Sequence, residues 1–484
     1  MAQIQQIGSP PEARIIEAMT RELGAEALLH PGEAHRKYLV DWSGDHVGRA
    51  LAILRPATLE QACRAMRFCA RRGLRVIPQG GNTGLASGAI SGDAGAVVFS
   101  AERLNRIRDI NPVNLSATVE AGCILETVKA AVAAQGCHFP VSLGAQGSCQ
   151  IGGMIATNAG GTNVVKYGMT REHILGLEVV LPDGAMWSGL SGLRKDNRGP
   201  DLKQLFIGSE GVFGVMTAAC IKLSPALKQI ETAFAGCNRF DDAMALLQNL
   251  RAACFEFVSG FEVISNACLP LARQIHKTLR LPLSEANPVH VLIELSSSAN
   301  LPLRSMLEDF LAGELERGRI NDAVVAQNQA QARDFWKVRE GLVEGHEKNG
   351  FHVRSDVSVQ LEKIPTLIGR LESMLSERFP DWTAQTYGHA GDGNIHFNAL
   401  PPPGMALQTC RETGRAIEVE IFNIVDRLGG SFSAEHGIGR SKRARFAATG
   451  NDASLKLLAG IKDTIDPNGL MNPGCLIQRE AARA

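Results

Sequence analysis

The stretch SLGAQGSCQIGGMIATNAGGTN, residues 142–163, pairs glycines at Gly152-Gly153 and Gly160-Gly161 around Thr157 and Asn158. A second glycine loop, PQGGNTGLASGA (78–89), follows a strand pattern at 74–77 that ends at Pro78, and it offers Gly80, Gly81 and Gly84. Consecutive backbone N–H groups without Cβ obstruction form a concave nest that binds phosphate oxygens. One such loop reads as a tight connection. Two in one domain suggest a dinucleotide lying extended between them. Neither common nucleotide signature is present here, because the loop lacks both G-x-G-x-x-G and a Gly-Lys pair.

Outward from these loops, Thr58 to Gln61 form a capping box, followed by apolar spacing at Ala62, Met66 and Cys69 and a stop at Gly73. Short strands are expected at 97–100 and 117–120, and a helix over 124–135 ending at Gly136. Strand-helix alternation to about residue 225 predicts an α/β-type first domain with a third glycine segment, GSEGVFGV (208–215). After IKLSPAL the texture changes. Amphipathic helices such as FDDAMALLQNLRA alternate with strands such as VHVLIEL, and dense glycine returns only at 388. The divisions expected are 1–45, 46–225, 226–425 and 426–484, the last carrying GGSFSAEHGIGRSKR and IDPNGLMNPG.

Composition excludes some classes. Fifty basic residues balance fifty acidic ones in 484, so nucleic acid is not an expected partner. No stretch is apolar enough for long enough to span a bilayer. The opening MAQIQQIGSPPEARIIEAMT lacks a basic region followed by an apolar one, so no secretory signal is read. Eleven cysteines without C-x-x-C spacing read as reduced thiols, mostly packing, in a cytoplasmic protein. Cys149 alone lies near interesting chemistry, and it too reads as packing.

A different chemistry is written in YGHAGDGNIHFN (387–398), where His389 and His396 flank a Gly-Asp-Gly-Asn turn. Strand alternation puts His396 and Asn398 on one face, and the turn brings His389 back beside it. Two such imidazoles suit a divalent transition metal, with Glu435 able to supply a third ligand and His436 next to it. Hydrogen bonds from both histidines to loop carbonyls are the alternative, and spacing alone leaves the two open.

PQGGNTGL, GSCQIGGMIATNAGGTNVVKYGMTREHILGLEVVLPDG and GSEGVFGV together resemble the FAD-binding domain of the vanillyl-alcohol-oxidase flavoprotein superfamily. YGHAGDGNIHFN, EHGIG and DPNGLMNPG extend the resemblance to its FAD-dependent D-2-hydroxyacid dehydrogenase branch, from about residue 40 to 480. It implies an α+β, two-domain fold with a sheet-and-helix substrate domain and a C-terminal segment returning to the flavin. By the same resemblance, Pro78, Gly80, Gly81, Asn82, Thr83, Gly84 and Leu85 wrap the FAD pyrophosphate. Pro140, Ser142, Gly144, Ser148, Gly152, Gly153, Thr157 and Asn158 match the loop beside the ribityl chain and ring. Gly211 and Val215 add backbone contacts, and Asn472 meets the flavin from the C-terminal side. Asn82 stands where covalently flavinylated relatives carry His, which implies non-covalent FAD.

The resemblance also implies zinc (or manganese) on His389, His396 and Glu435, with His436 as base; His436 as a ligand in place of Glu435 is the alternative. Arg339 matches the clamp on the substrate C1 carboxylate, and Asn398 joins the substrate-binding set. Arg354 stands where 2-hydroxyglutarate enzymes carry Lys for the distal carboxylate, and Val343 where they carry Thr. An apolar tail would leave Arg354 unpaired, so D-2-hydroxyglutarate is expected over D-lactate, with Val343 pulling the other way. The expected acceptor is an electron-transfer flavoprotein or quinone, and the candidate assembly is a homodimer. A non-redox alkyl-transfer synthase and a non-catalytic flavin subunit are the rivals. His389, His396, Glu435 and His436 together speak against both.

Overall fold

A computed structural model describes residues 11–477, except 31, 43 and 45. The absence of a signal was read partly on residues 1–10, which lie outside the described residues. The Leu59–Arg72 helix starts as its sequence predicts. Thr58 Oγ1 accepts from the Gln61 N–H at 3.2 Å, and Gln61 Oε1 accepts from the Ala57 N–H at 2.8 Å, one residue earlier than a strict box. Gly73 ends the helix in the left-handed region at φ 63°.

The following strand differs from expectation. It runs Val76–Gln79, through Pro78 instead of stopping there. It is the edge strand of a four-stranded sheet ordered Leu28–Leu29, Ala52–Leu54, Val97–Ser100, Val76–Gln79, and an edge tolerates a residue without an N–H. The expected helix over 124–135 is shorter, Leu125–Ala133.

The first 225 residues are not one alternating sheet. Beside the largely parallel sheet lies a five-stranded antiparallel one, ordered Ile107–Asn111, Ser116–Glu120, Val215–Lys222, Ile174–Val180, Met186–Ser188. The chain end returns to this region, where the Val76 N–H donates to the Leu470 carbonyl at 2.8 Å and the Asn472 N–H to the Val76 carbonyl at 2.8 Å.

A seven-stranded antiparallel sheet forms the rest, ordered Asp322–Val325, Gln229–Cys237, Val289–Ser297, Val258–Ser265, Thr383–Gly388, Asn394–Leu400, Val353–Ser358. One face is sealed by the helices Phe240–Cys254, Leu303–Glu316, Ile364–Arg378 and Leu407–Arg427, whose leucines and isoleucines pack on Val291, Ile293, Ile395, Phe397 and Val357. The opposite face is covered at one end by Leu269–Ile275 and Gln329–Lys348, with Phe335, Val338 and Leu342 packed on Phe234, Leu292 and Tyr387. Polar residues occupy the remainder of that face. This remainder looks toward the glycine loops.

Candidate active site

A cleft of about 950 Å³ lies between the glycine loops and this polar sheet face. Pro78, Gly80, Gly81, Asn82, Thr83, Gly84 and Leu85 line one wall, with Ser142, Gly144, Ser148, Gly152, Gly153, Thr157, Gly211 and Val215. The paired glycines serve a contact that the sequence did not reveal. A Cβ on Gly80 would come within 3.1 Å of Gly153, and one on Gly81 would run into the Ser148 carbonyl oxygen. The two loops therefore close on each other through these glycines. Gly84 and Gly144 have open space where a Cβ would sit.

Three residues expected at the cofactor do not line the cleft. The Pro140 carbonyl accepts from Asn163 Nδ2 at 2.8 Å, and Asn158 Oδ1 accepts from the Arg171 N–H at 2.9 Å. Asn472 donates to the Gly88 and Glu210 carbonyls at 3.0 and 2.7 Å and accepts from Arg440 at 2.6 Å. These residues hold the loops together. Asn82 lines the wall, but its amide points away, donating to the Lys37 and Val40 carbonyls at 3.0 and 2.6 Å. Cys149 is buried, which pushes its thiol up to about 11, as a packing residue requires.

The opposite wall is built by sheet register. Side chains two apart share a face, so the cross-strand partners Tyr387, His396 and Asp356 form one row. Gln385, Asn398 and Arg354 form the next, about 6.5–7 Å along the strands. The Gln329–Lys348 helix crosses above and contributes Trp336, Arg339, Val343 and His346 to the cleft. The turn after Gly388 supplies His389, whose ring lies 5.3 Å from that of His396.

Three imidazole Nε2 atoms converge on Glu435 Oε1, from His389 at 3.8 Å, His396 at 3.8 Å and His436 at 3.7 Å. Each of the other ring nitrogens faces a carboxylate. His389 Nδ1 is 2.6 Å from Glu262, His436 Nδ1 is 3.5 Å from Asp356, and His396 Nδ1 is 3.9 Å from Asp356. Imidazoles oriented by carboxylates behind them are what a metal site requires, since the rear contact fixes ring angle and tautomer. Tetrahedral bonds to zinc hold ligand atoms about 3.3 Å apart, closer than any of these three contacts. Among the described residues, the ligand atoms that all lie within 4.8 Å of one another come from Asp356, His396, Glu435 and His436, and His389, expected as a ligand, is not in that group. His436 is thus as near Glu435 as either hairpin histidine.

The charges are fixed by two acids that sequence reading gave no role. Glu262 is fully buried and divides its oxygens, one to His389 Nδ1 and one to Arg339 Nε at 2.7 Å. Burial opposes charge on His389, but Glu262 outweighs it and holds the imidazole up at about 10. Burial pushes His396 the other way, down to about 3, with His389 and Arg339 adding to the effect. Burial also opposes charge on Glu435, yet the His389 imidazolium beside it holds it down at about 2. Asp356 collects the N–H groups of Ala434, Glu435 and His436 on one oxygen at 3.1, 3.0 and 2.9 Å. Against its own burial, His436 and Lys442 hold it well below the usual carboxylate range. Asp356 could have been noticed as the strand-mate of Arg354. Nothing local marks Glu262.

Arg339 is buried, with its guanidinium 4.6 Å over the Tyr387 ring. Arg354 is half-buried, its Nε 3.4 Å from His352 Nε2, and no described carboxylate lies within ion-pair distance. Val343 is exposed at the rim, and Asn398 is buried in the far row.

Residues 50–188 match the family described as FAD binding domain, and residues 226–476 match FAD linked oxidases, C-terminal domain. D-2-hydroxyglutarate dehydrogenase, mitochondrial, of Bos taurus is 36% identical, over 95% of this chain and 82% of its own length. D-2-hydroxyglutarate dehydrogenase of Xanthomonas citri pv. viticola is 33% identical over 91% and 92%. A putative mitochondrial D-lactate dehydrogenase of Schizosaccharomyces pombe is 34% identical over 90% and 83%. Among solved structures, p-cresol methylhydroxylase superposes with a TM-score of 0.74 at 15% identity, covering 99% of both chains. Alkyldihydroxyacetonephosphate synthase gives 0.73 at 16%, covering 98% of this chain and 87% of its own. The cytoplasmic location expected from the thiols does not stand, because the cattle and fission-yeast relatives are named as mitochondrial proteins. No described helix is long and apolar enough to cross a membrane. By these matches the chain belongs to the FAD-linked oxidase family, within its branch of FAD-dependent D-2-hydroxyacid dehydrogenases, and it has the flavin-binding fold of the vanillyl-alcohol-oxidase type.

Proposed function

We propose that this chain oxidises a D-2-hydroxy dicarboxylic acid, D-2-hydroxyglutarate in the first instance, to the 2-oxo acid. The observation that carries the substrate is Arg354, a half-buried guanidinium in the cleft with no described carboxylate partner, one row beyond His396. The step between the rows, about 6.5–7 Å, suits a carboxylate carried at the far end of a five-carbon acid. Arg339 is held by Glu262 through Nε, and its Nη2 lies 3.5 Å from His389 Nε2, which leaves Nη1 for the C1 carboxylate.

FAD held between the Pro78–Leu85 and 142–163 loops would supply the hydride acceptor, with a partner such as an electron-transfer flavoprotein or quinone as the acceptor beyond it. A Zn²⁺ or Mn²⁺ ion held by His389, His396 and Glu435 would acidify the substrate hydroxyl. His436 takes the hydroxyl proton at Nε2, its Nδ1 facing Asp356 at 3.5 Å. Val343, exposed and apolar at the cleft rim, favours the second reading, a D-lactate dehydrogenase.

The test is kcat/KM for D-2-hydroxyglutarate and D-lactate in wild type and Arg354→Met. A charge-assisted hydrogen bond contributes about 1.5–3 kcal/mol, so the variant should lose roughly 10–100-fold on the diacid alone. A wild type that prefers D-lactate would make the second reading the correct one. The protein should also be yellow and release intact FAD on acid denaturation, since the Asn82 amide is engaged with the Lys37 and Val40 carbonyls and forms no flavin link. Gly81→Val should be colourless, because its side chain strikes the Ser148 carbonyl and parts the two loops. A yellow Gly81→Val protein would contradict this account of the paired glycines.

A further inference from the structure

The far row holds polar atoms that the reaction above leaves unused. His346 lines the cleft from the Gln329–Lys348 helix and is buried. Its ring stacks on Tyr387 at 5.7 Å and lies 5.0 Å from the His352 ring. Nδ1 of His346 is 2.7 Å from the Leu342 carbonyl, and a carbonyl only accepts. Nδ1 therefore carries the proton, and the neutral ring presents a lone pair at Nε2. This Nε2 is buried and has no hydrogen-bond partner.

Gln385 reaches the same imidazole. Its amide is oriented too, because Nε2 donates to the Ala267 carbonyl at 3.1 Å and leaves Oε1 buried and unpartnered. Two unpartnered acceptors thus share one buried corner, and the row's Asn398, cross-strand partner of Gln385, has an unpartnered donor at Nδ2. Burial pushes His346 down to about 4, so protonation of the ring does not supply the donor at neutral pH. Buried acceptors left unmet are costly, and a ligand that brings a donor removes the cost.

The neighbours restrict what that donor is. Arg354 Nε is 3.4 Å from His352 Nε2, and His352 Nδ1 is committed to the Gly350 carbonyl at 3.0 Å. A cationic donor would sit beside the Arg354 guanidinium and be repelled by it. A hydroxyl is neutral and donates. We propose that His346 is a specificity-determining residue, accepting through Nε2 a hydrogen bond from a hydroxyl on the substrate tail. The preferred substrate is then a D-2-hydroxy dicarboxylic acid with a further hydroxyl between its two ends. This inference rests on the reading that the far row receives the tail.

The experiment compares D-2-hydroxyglutarate with (2R)-2,4-dihydroxyglutarate, as both C4 epimers, using an artificial dye as acceptor. Wild type should favour one dihydroxy epimer by about tenfold or more in kcat/KM, the worth of one buried hydrogen bond. His346→Leu should lose that preference. His346→Gln, whose Oε1 accepts, should retain part of it. If wild type treats the acids alike, or His346→Leu keeps the ratio, the inference is overturned, while flavin bleaching by D-2-hydroxyglutarate leaves the proposed function standing. If neither acid bleaches the flavin, the function reading fails and the tail hydroxyl fails with it. Should His346→Leu not fold, the wild-type ratio and His346→Gln decide the matter.

Discussion

His436→Ala is expected to slow anaerobic flavin reduction by about 10²–10⁴-fold, the usual contribution of a positioned general base. Its Nε2 faces the cleft 3.7 Å from Glu435, and Asp356 fixes it from behind at Nδ1 and at its backbone N–H. Those contacts orient the ring for proton abstraction, and they would orient a ligand equally well. Metal content separates the roles. As a base, His436 can be removed while the ion stays on His389, His396 and Glu435, so elemental analysis of the variant should match wild type. Loss of metal together with activity would make His436 a ligand and leave the base unassigned. Asp356→Asn gives a second readout. It keeps the side chain's shape but removes the charge that faces both His396 and His436, so the pH profile of flavin reduction should shift while the flavin spectrum stays the same.

What the sequence disclosed follows from how local each signal is. Paired glycines and alternating histidines declare themselves within a dozen residues. The two loops and the His389–His396 pair could therefore be read before any fold was known. The purpose of the glycines could not, because Gly80 meets Gly153 and Gly81 meets Ser148 across some seventy residues of chain. Three asparagines illustrate the same limit. Asn82, Asn158 and Asn472 have φ of 55°, 49° and 41°, a left-handed backbone that asparagine tolerates better than most residues. Their amides tie loop to loop, which sequence motifs read as cofactor contact. Glu262 was invisible for another reason. It lies in VSGFEVIS, an otherwise buried strand, and gains its role only because Val258–Ser265 pairs with Thr383–Gly388 and brings it under His389. Sheet order is a long-range property, and no local spacing encodes it.

Chelation should abolish turnover while leaving the oxidised flavin spectrum largely intact, because His389 and His396 stand on the sheet side of the cleft, and of the candidate ligands Glu435 is the one that reaches a glycine loop, at Gly160. Zn²⁺ or Mn²⁺ should restore the wild type. His389→Ala and His396→Ala should resemble the stripped enzyme and resist rescue. The buried acid behind His389 makes the prediction sharper. Glu262 holds the metal-free imidazole up at about 10 against an ordinary 6.5, so below that value Nε2 or Nδ1 carries an extra proton. A metal on Nε2 must displace it, and each ion bound should release a proton. Affinity for Zn²⁺ is therefore expected to tighten as pH rises from about 6 to 9, and to weaken as it falls. Glu262→Gln reverses part of this. It lowers the proton's hold on His389 and flattens the pH dependence, but it also removes the anion that steadies ring and Arg339, which should cost about 10–100-fold in metal affinity. Titration of the stripped protein with Zn²⁺ at several pH values measures both effects. If the stripped enzyme turns over at full rate, the hairpin histidines serve the fold alone and the metal reading fails.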